Sequence, residues 1–212
     1  MEFLPEVISE YSERFTDAES EILSKLNKQT WQQMVQPRML SGHMQGRILS
    51  LFSKMIKPKY ILEIGTFTGY SAICLAEGLQ ENGRLITLDI NEEFEDIAKL
   101  YFKESGMEHL IDMRIGNAAH LIPALKEEFD IVFIDADKEN YSTYFDLVID
   151  KVSPGGIIIA DNVLWSGKVV EDKPDTETRA LMDYSEKIHK DKRVENVLLP
   201  VRDGLMICRK ND

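Results

Sequence analysis

The hydrophobic and polar positions change their spacing near residue 58. Before it, apolar residues recur at helical intervals, as in Ile22, Leu23 and Leu26, and predict helices. From Lys59 onward, short apolar runs alternate with amphipathic segments. The runs are YILEIG, GRLITLDI, IDMRI, FDIVFID and GGIIIAD, and the segments include Tyr70–Leu79, Phe94–Ser105 and Tyr141–Val152. Strands that are apolar on both faces and separated by helices predict a parallel sheet covered on both sides.

The last part of the chain changes this order. A predicted helix, Thr176–Lys190, is followed by the strand-like segments RVENVLLP and GLMICRK, which only the short turn Val201–Gly204 connects. A parallel crossover needs a dozen residues or more, so these two strands are predicted to form an antiparallel hairpin. The sequence therefore predicts an α/β fold whose otherwise parallel sheet ends in an antiparallel strand.

Length and composition favour a single domain. The 212 residues, 43% of them hydrophobic, suffice for one substantial core, and no repeat or Gly/Ser linker divides them. We expect one domain, 1–212, with a helical extension (1–57) before the sheet-containing core (58–212). Cys74 and Cys208 stand in apolar contexts and predict buried free thiols. With no apolar run of membrane-spanning length, we expect a soluble, cytoplasmic protein.

The charge balance bears on possible partners. The sequence has 25 Lys and Arg against 37 Asp and Glu, a net charge of −12, which disfavours non-specific nucleic-acid binding. The most basic stretch is KIHKDKR, Lys187 to Arg193. Such a run is typical of the solvated end of a helix, and docking of RNA is the alternative.

A glycine loop follows the first predicted strand. In ILEIGTFTGYSA, Gly65 ends the strand and Gly69 precedes a helix, which allows backbone N–H groups to approach a ligand. The next strand ends in Asp89, where folds of this kind use an acid to accept hydrogen bonds from ribose hydroxyls. Loop and acid together predict a nucleoside ligand, whereas a helix N-cap is the structural alternative for Asp89. The spacing is not G-x-G-x-x-G, which weakens a dinucleotide interpretation and a nicotinamide dehydrogenase with it.

Polar residues also follow the fourth and fifth strands. Asp135 comes directly after one, and Asp161 and Asn162 after the other. If the two strands are neighbours, their carboxyl ends open into one crevice, where three oxygen donors would converge. A set of oxygen ligands suits Mg²⁺ or a related hard cation.

Six segments, in this order and spacing, resemble the cation-dependent class I O-methyltransferases, the catechol and caffeoyl-CoA O-methyltransferase family. They are LEIGTFTGYS, LDINEEFEDIA, GNAAHLIPAL, FIDADKENY, ADNVLWSGKVV and PVRDGLMICRK. The resemblance implies a Rossmann-like seven-stranded mixed sheet, S-adenosylmethionine as methyl donor, a divalent cation that orients a catechol-like substrate, and a homodimer.

The resemblance also assigns roles to individual residues. It implies a metal site of Asp135, Asp161 and Asn162, with Lys138 as the catalytic residue that accepts the phenolic proton. Positions matching methyl-donor contacts are Ser41, Glu63, Gly65, Thr66, Ser71, Asp89, Ala118 and Asp137. Positions on the substrate side are Asp135, Trp165 and Ser166.

The acceptor stays open at this point. The leading hypothesis is an O-methyltransferase for a small catechol-like or hydroxycinnamoyl-type molecule. Methylation of a hydroxylated tRNA base, with KIHKDKR contributing to binding, keeps the chemistry and changes the substrate. A nucleoside-binding module without catalysis is the third hypothesis, and the complete metal set with Lys138 argues against it.

Overall fold

The computed structural model describes residues 4–212, and its helices and strands alternate as predicted. The helices are α1 (Glu6–Arg14), α2 (Glu21–Gln33), α3 (Gly42–Ile56), α4 (Tyr70–Ala76), α5 (Glu95–Glu104), α6 (Ala118–Leu121), α7 (Tyr141–Val148) and α8 (Thr176–Lys190). The strands are β1 (Tyr60–Ile64), β2 (Arg84–Asp89), β3 (Ile111–Ile115), β4 (Phe129–Ile134), β5 (Val152–Ala160), β6 (Val194–Leu199) and β7 (Leu205–Lys210).

The strands form one seven-stranded mixed sheet in the order β3-β2-β1-β4-β5-β7-β6. The pairs β1/β2, β2/β3 and β4/β5 are parallel, whereas β7 runs antiparallel to both β5 and β6. The predicted fold class is thus confirmed, including the antiparallel end of the sheet.

The contacts divide the chain into two compact units, Glu6–Asn117 and Ala118–Asp212. This division falls at residue 117 and not at the change of pattern near residue 57. The organisation as one domain with a helical extension stays a prediction.

In the unit 6–117, β1 to β3 form the parallel strands, with Glu63 opposite Thr87 and Asp89 opposite Ile115. Helix α3 closely approaches Gly78, two residues after the end of α4, where a Cβ atom would lie 2.2 Å from the Ser53 carbonyl carbon. Helix α1 buries none of its residues. Its apolar side chains Val7, Ile8 and Tyr11 are exposed, as is Phe15 just beyond it.

In the unit 118–212, β5 lies between β4 and β7, with Ile134 opposite Ala160 and Ala160 opposite Met206. The last four residues of β4 are fully buried, as a strand covered on both faces requires. Helix α7 ends at Val148, four residues earlier than predicted, and β5 begins at Val152. The residues between them, Ile149–Lys151, form a tighter 3-10 turn, which is frequent at the C-terminus of an α-helix.

Both cysteines are free and fully buried, Cys74 in the first unit and Cys208 in the second. Burial raises the pKa of each thiol to about 12. The prediction of buried free thiols is confirmed. Within residues 4–212, no helix is long and apolar enough to cross a membrane.

Candidate functional site

The polar residues after β4 and β5 meet at one ammonium group. Because these strands are parallel neighbours, Asp135 and Asp161 leave the sheet at the same edge. Lys138 Nζ donates hydrogen bonds to Asp135 Oδ1 at 3.0 Å and to Asn162 Oδ1 at 2.9 Å. Lys138 is only 8% exposed, so its charge is largely removed from water and depends on these partners.

A third partner of Lys138 is Tyr141, to which the sequence analysis gave no role. The Tyr141 hydroxyl accepts from Lys138 Nζ at 2.6 Å and donates to the carbonyl oxygen of Asp161 at 3.1 Å. Burial raises the pKa of this phenol well above its usual value, so it keeps the proton that it donates. The sequence signal was the spacing, because Tyr141 follows Lys138 by three residues, and residues three apart share a face of a helical turn.

The arrangement of oxygen donors fits a hard cation. Two of the three predicted metal ligands, Asp135 and Asn162, already direct side-chain oxygens at one positive charge. Asp161 is 3% exposed, and its Oδ1 accepts the backbone N–H of Asn162 at 2.7 Å. In the described part of the chain, no three His, Cys, Asp or Glu side chains group as metal ligands. The predicted set contains only two carboxylates and an amide, so this result leaves it a prediction.

The segment 162–167 carries the predicted substrate-side residues in an unusual backbone conformation. Asn162, Trp165 and Ser166 have φ values of 61°, 46° and 55°. The Lys138 ammonium lies 5.6 Å from the Trp165 ring centroid, and that of Lys168 lies 5.8 Å from it. The Trp165 ring is therefore a neighbour of the predicted catalytic group.

The two remaining predicted residues of this unit are Asp137 and Ala118, and they have different surroundings. Asp137 accepts hydrogen bonds from the Tyr144 hydroxyl, at 2.5 Å, and from the Asn140 side chain. Ala118 is the first residue of α6 and is 8% exposed. Both stay predictions as contacts of the methyl donor.

The glycine loop lies in the other unit and is organised by Asp89. Gly65 and Gly69 adopt φ values of 99° and 88°, which favour glycine. Asp89 Oδ2 accepts the backbone N–H groups of Thr66 at 2.9 Å and Phe67 at 2.8 Å, and its Oδ1 accepts that of Asn91. The carboxylate predicted to bind ribose hydroxyls therefore also fixes the loop. Asn91, and not Asp89, caps the following helical turn.

A buried chain of hydrogen bonds connects the same loop to strands β1 and β2. Thr87 donates to Glu63 Oε2 at 2.6 Å, and the Thr66 and Thr87 hydroxyls lie 2.5 Å apart. Because the single Thr87 proton goes to Glu63, Thr66 is the donor to Thr87. Glu63 is fully buried. It contributes to the shape of the loop because Thr87 and Thr66 link it to the loop by hydrogen bonds. In the sequence, nothing distinguishes Thr87 from an ordinary strand residue.

Ser41 and Ser71 complete the predicted set of this unit. Ser41 precedes α3 and is 5% exposed, and Ser71 lies in the first turn of α4 and is 6% exposed.

The basic run 187–193 is largely neutralised by neighbouring acids. Lys187 pairs with Asp146 at 2.5 Å, and Lys190 pairs with Glu186. Arg193 Nη2 contacts Asp191 at 2.7 Å. The run is the end of α8 followed by a turn, the more ordinary of its two interpretations.

The chain is similar to known proteins in sequence and in fold. The sequence matches the O-methyltransferase family over residues 11–211. It is 37% identical over 180 residues to a caffeoyl-CoA O-methyltransferase of Medicago sativa, covering 78% of this chain and 72% of that protein. An O-methyltransferase of Bacillus cereus solved with SAH is 29% identical, with a TM-score of 0.89 and 97% of both chains covered. A methyltransferase of Podospora anserina, also solved with SAH, is 28% identical, with a TM-score of 0.91 over 99% of each chain.

Proposed function

Because the chain belongs to the O-methyltransferase family, we propose that it methylates a hydroxyl group of a small catechol-like or hydroxycinnamoyl-type molecule, with a divalent cation orienting that substrate. S-adenosylmethionine-dependent O-methyl transfer is the activity that this membership supports. The acceptor and the cation are the proposed parts.

The observation that carries the proposal is the convergence on Lys138. Asp135, Asn162 and the Tyr141 hydroxyl surround one ammonium group beside the Trp165 ring. An aromatic acceptor can stack on such a ring, and a hydroxyl group beside Lys138 would meet both a hydrogen-bond partner and the oxygen donors. A nucleoside-binding module without catalysis would not need this cluster.

Asp135, Asp161 and Asn162 would hold the cation. When bound, the cation supplies Lewis-acid chemistry that favours the ionised form of the acceptor hydroxyl. Only the neutral amine form of Lys138 can accept the phenolic proton, so Lys138 would first lose one of the three N–H protons that it now donates. Because methyl transfer is an in-line displacement, the remaining task of the chain is to align donor and acceptor. Glu63, Thr66 and Asp89 of the unit 6–117 and Asp137 of the unit 118–212 are among the proposed donor-binding residues.

The test is transfer of a labelled methyl group from S-adenosylmethionine to catechols, caffeate, caffeoyl-CoA and undermodified tRNA. Each acceptor is assayed with Mg²⁺ and with EDTA. We expect methylation of at least one small vicinal diol, abolished by EDTA and restored by added Mg²⁺. Transfer that persists in EDTA would contradict the cation, and transfer to tRNA alone would contradict the small acceptor.

A further inference from the structure

The turn between β6 and β7 is hydrogen-bonded to the segment that follows Asn162. Leu164 donates its backbone N–H to the carbonyl oxygen of Asp203 at 2.9 Å, and Val163 donates to that of Gly204 at 3.1 Å. The backbone N–H of Ser166 donates to the Asp203 carboxylate. The turn between β6 and β7 thus accepts the backbone N–H groups of Val163, Leu164 and Ser166.

Gly204 allows this close approach. It has a φ of 88°, and a Cβ atom there would lie 2.5 Å from Leu164 Cγ. A side chain at this position would push the turn away from the segment, so the fit between the two is specific.

The segment needs such support because its backbone is strained. Trp165 and Ser166 both occupy the left-handed region, with φ values of 46° and 55°. Residues with side chains avoid this region, and a run of two persists only where surrounding contacts fix it. The Asp203 carboxylate bonds within this run, where it accepts the Ser166 N–H.

We infer that Asp203 is a positioning residue, which holds Trp165 and Ser166 in place beside Lys138 and thereby sets the affinity and orientation of the aromatic acceptor. Asp203 acts through the backbone of Ser166 and touches no reacting atom. The effect on the acceptor rests on the proposed function, whereas the effect on Trp165 does not.

The first test uses fluorescence, which is independent of activity. The chain has two tryptophans, so Trp31→Phe leaves Trp165 as the single tryptophan, whose emission is excited selectively over that of tyrosine. In this background, Asp203→Ala should raise the acrylamide quenching constant of Trp165 at least about twofold, because the segment loses a charge-assisted hydrogen bond. Asp203→Asn should rescue most of the change, since its amide oxygen can still accept the Ser166 N–H. Glu195→Ala, an exposed acid of the same hairpin, is the matched control and should leave the quenching unchanged.

The second test is the split of kinetic constants. Asp203→Ala should raise KM for the acceptor by about tenfold, leave KM for S-adenosylmethionine within about twofold, and shift the ratio of the two monomethylated products toward equality. Unchanged quenching in Asp203→Ala would overturn the positioning role. Changed quenching with an unchanged acceptor KM and product ratio would overturn the role in acceptor choice. If the parent protein methylates nothing, the proposed function fails, and quenching alone still decides whether Asp203 positions Trp165.

Discussion

Lys138 is held by three oxygen acceptors, which gives its charge a defined position. Asp135, Tyr141 and Asn162 each accept one of its N–H groups. Without the ammonium, these three oxygens would lack their hydrogen-bond donor in a site with little access to water. Unpaired polar groups are costly in such a site. The same group that takes part in the proposed chemistry therefore also organises the site.

We expect Lys138→Met to lower kcat by about 10²–10⁴-fold, the range typical of a lost proton-transfer group. Affinity for S-adenosylmethionine, measured by calorimetry, should change by less than about twofold. Lys168→Met is the matched control, because Lys168 also lies over the Trp165 ring but is 43% exposed. Wild-type turnover in Lys138→Met would remove the proposed role.

Tyr141→Phe tests the hydroxyl that links Lys138 to Asp161. We expect kcat to fall about tenfold and the free energy of unfolding to fall by about 1–3 kcal/mol, because two buried partners lose a hydrogen bond. Steady-state kinetics measures kcat, and urea unfolding measures the free energy of unfolding.

Tyr184→Phe is the control for this change. The Tyr184 ring packs edge-on against Tyr141, with 5.6 Å between centroids, and its buried hydroxyl has no hydrogen-bond partner among the described residues. Loss of that hydroxyl should leave kcat unchanged and stability equal or slightly higher. Equal effects of the two substitutions would mean that the Tyr141 hydrogen bonds do not matter.

At the scale of elements, an ion-pair network joins α3 to the end of α4. Arg47, Ser50 and Lys54 lie on one face of α3, and all three donate to the Glu77 carboxylate. Burial alone would raise the pKa of Glu77, but these donors outweigh it and lower the pKa from 4.5 to about 2. The folded protein thus favours the ionised carboxylate.

This shift predicts a contribution to stability that depends on pH. Because the folded pKa is depressed, the contribution is full above about pH 5 and is lost as pH falls from about 4.5 toward 2, with an upper limit of about 3 kcal/mol. Urea unfolding at pH 6 and pH 3 should show a smaller loss in Glu77→Gln than in the wild type. Glu81→Gln, at an exposed position, should lose as much as the wild type does. A wild-type-like loss in Glu77→Gln would contradict the network.

The helices and strands were predictable because the apolar residues of each segment are spaced for one type of element. The site residues were predictable where a polar residue ends a buried apolar strand. Asp135 and Asp161 stand out as acids at the ends of buried strands. Thr87 and Asp203 do not, because their partners Glu63 and Ser166 are distant in sequence. Tyr141 is signalled only by its spacing of three residues from Lys138. The strained conformation of Trp165 and Ser166 was equally hidden, since neither residue type signals a positive φ.

At the scale of the whole molecule, charge distinguishes the two acceptors. The net charge is −12, and the run 187–193 has most of its cations paired with acids. We expect fluorescence anisotropy to show at most weak tRNA binding, with a Kd no tighter than about 10⁻⁶ M at low salt. Tighter binding that falls steeply with salt and is lost in Lys187→Ser/Arg193→Ser would instead favour the tRNA substrate.

Homodimer formation likewise stays a proposal. The predicted dimer would sediment at twice the 24.3 kDa of one chain, and sedimentation equilibrium at micromolar concentration distinguishes the two masses.

The buried thiols have a consequence for measuring motion. An alkylating reagent attacks the thiolate, and a group that is both shielded and rarely ionised reacts only when its surroundings open. The alkylation rates of Cys74 and Cys208 therefore report local opening, one thiol in each compact unit. A pulse of iodoacetamide on the native protein, read by peptide mass spectrometry, would yield a separate opening free energy for each. Equal opening free energies would indicate that the two units open together. Unequal values would identify the unit that opens more readily.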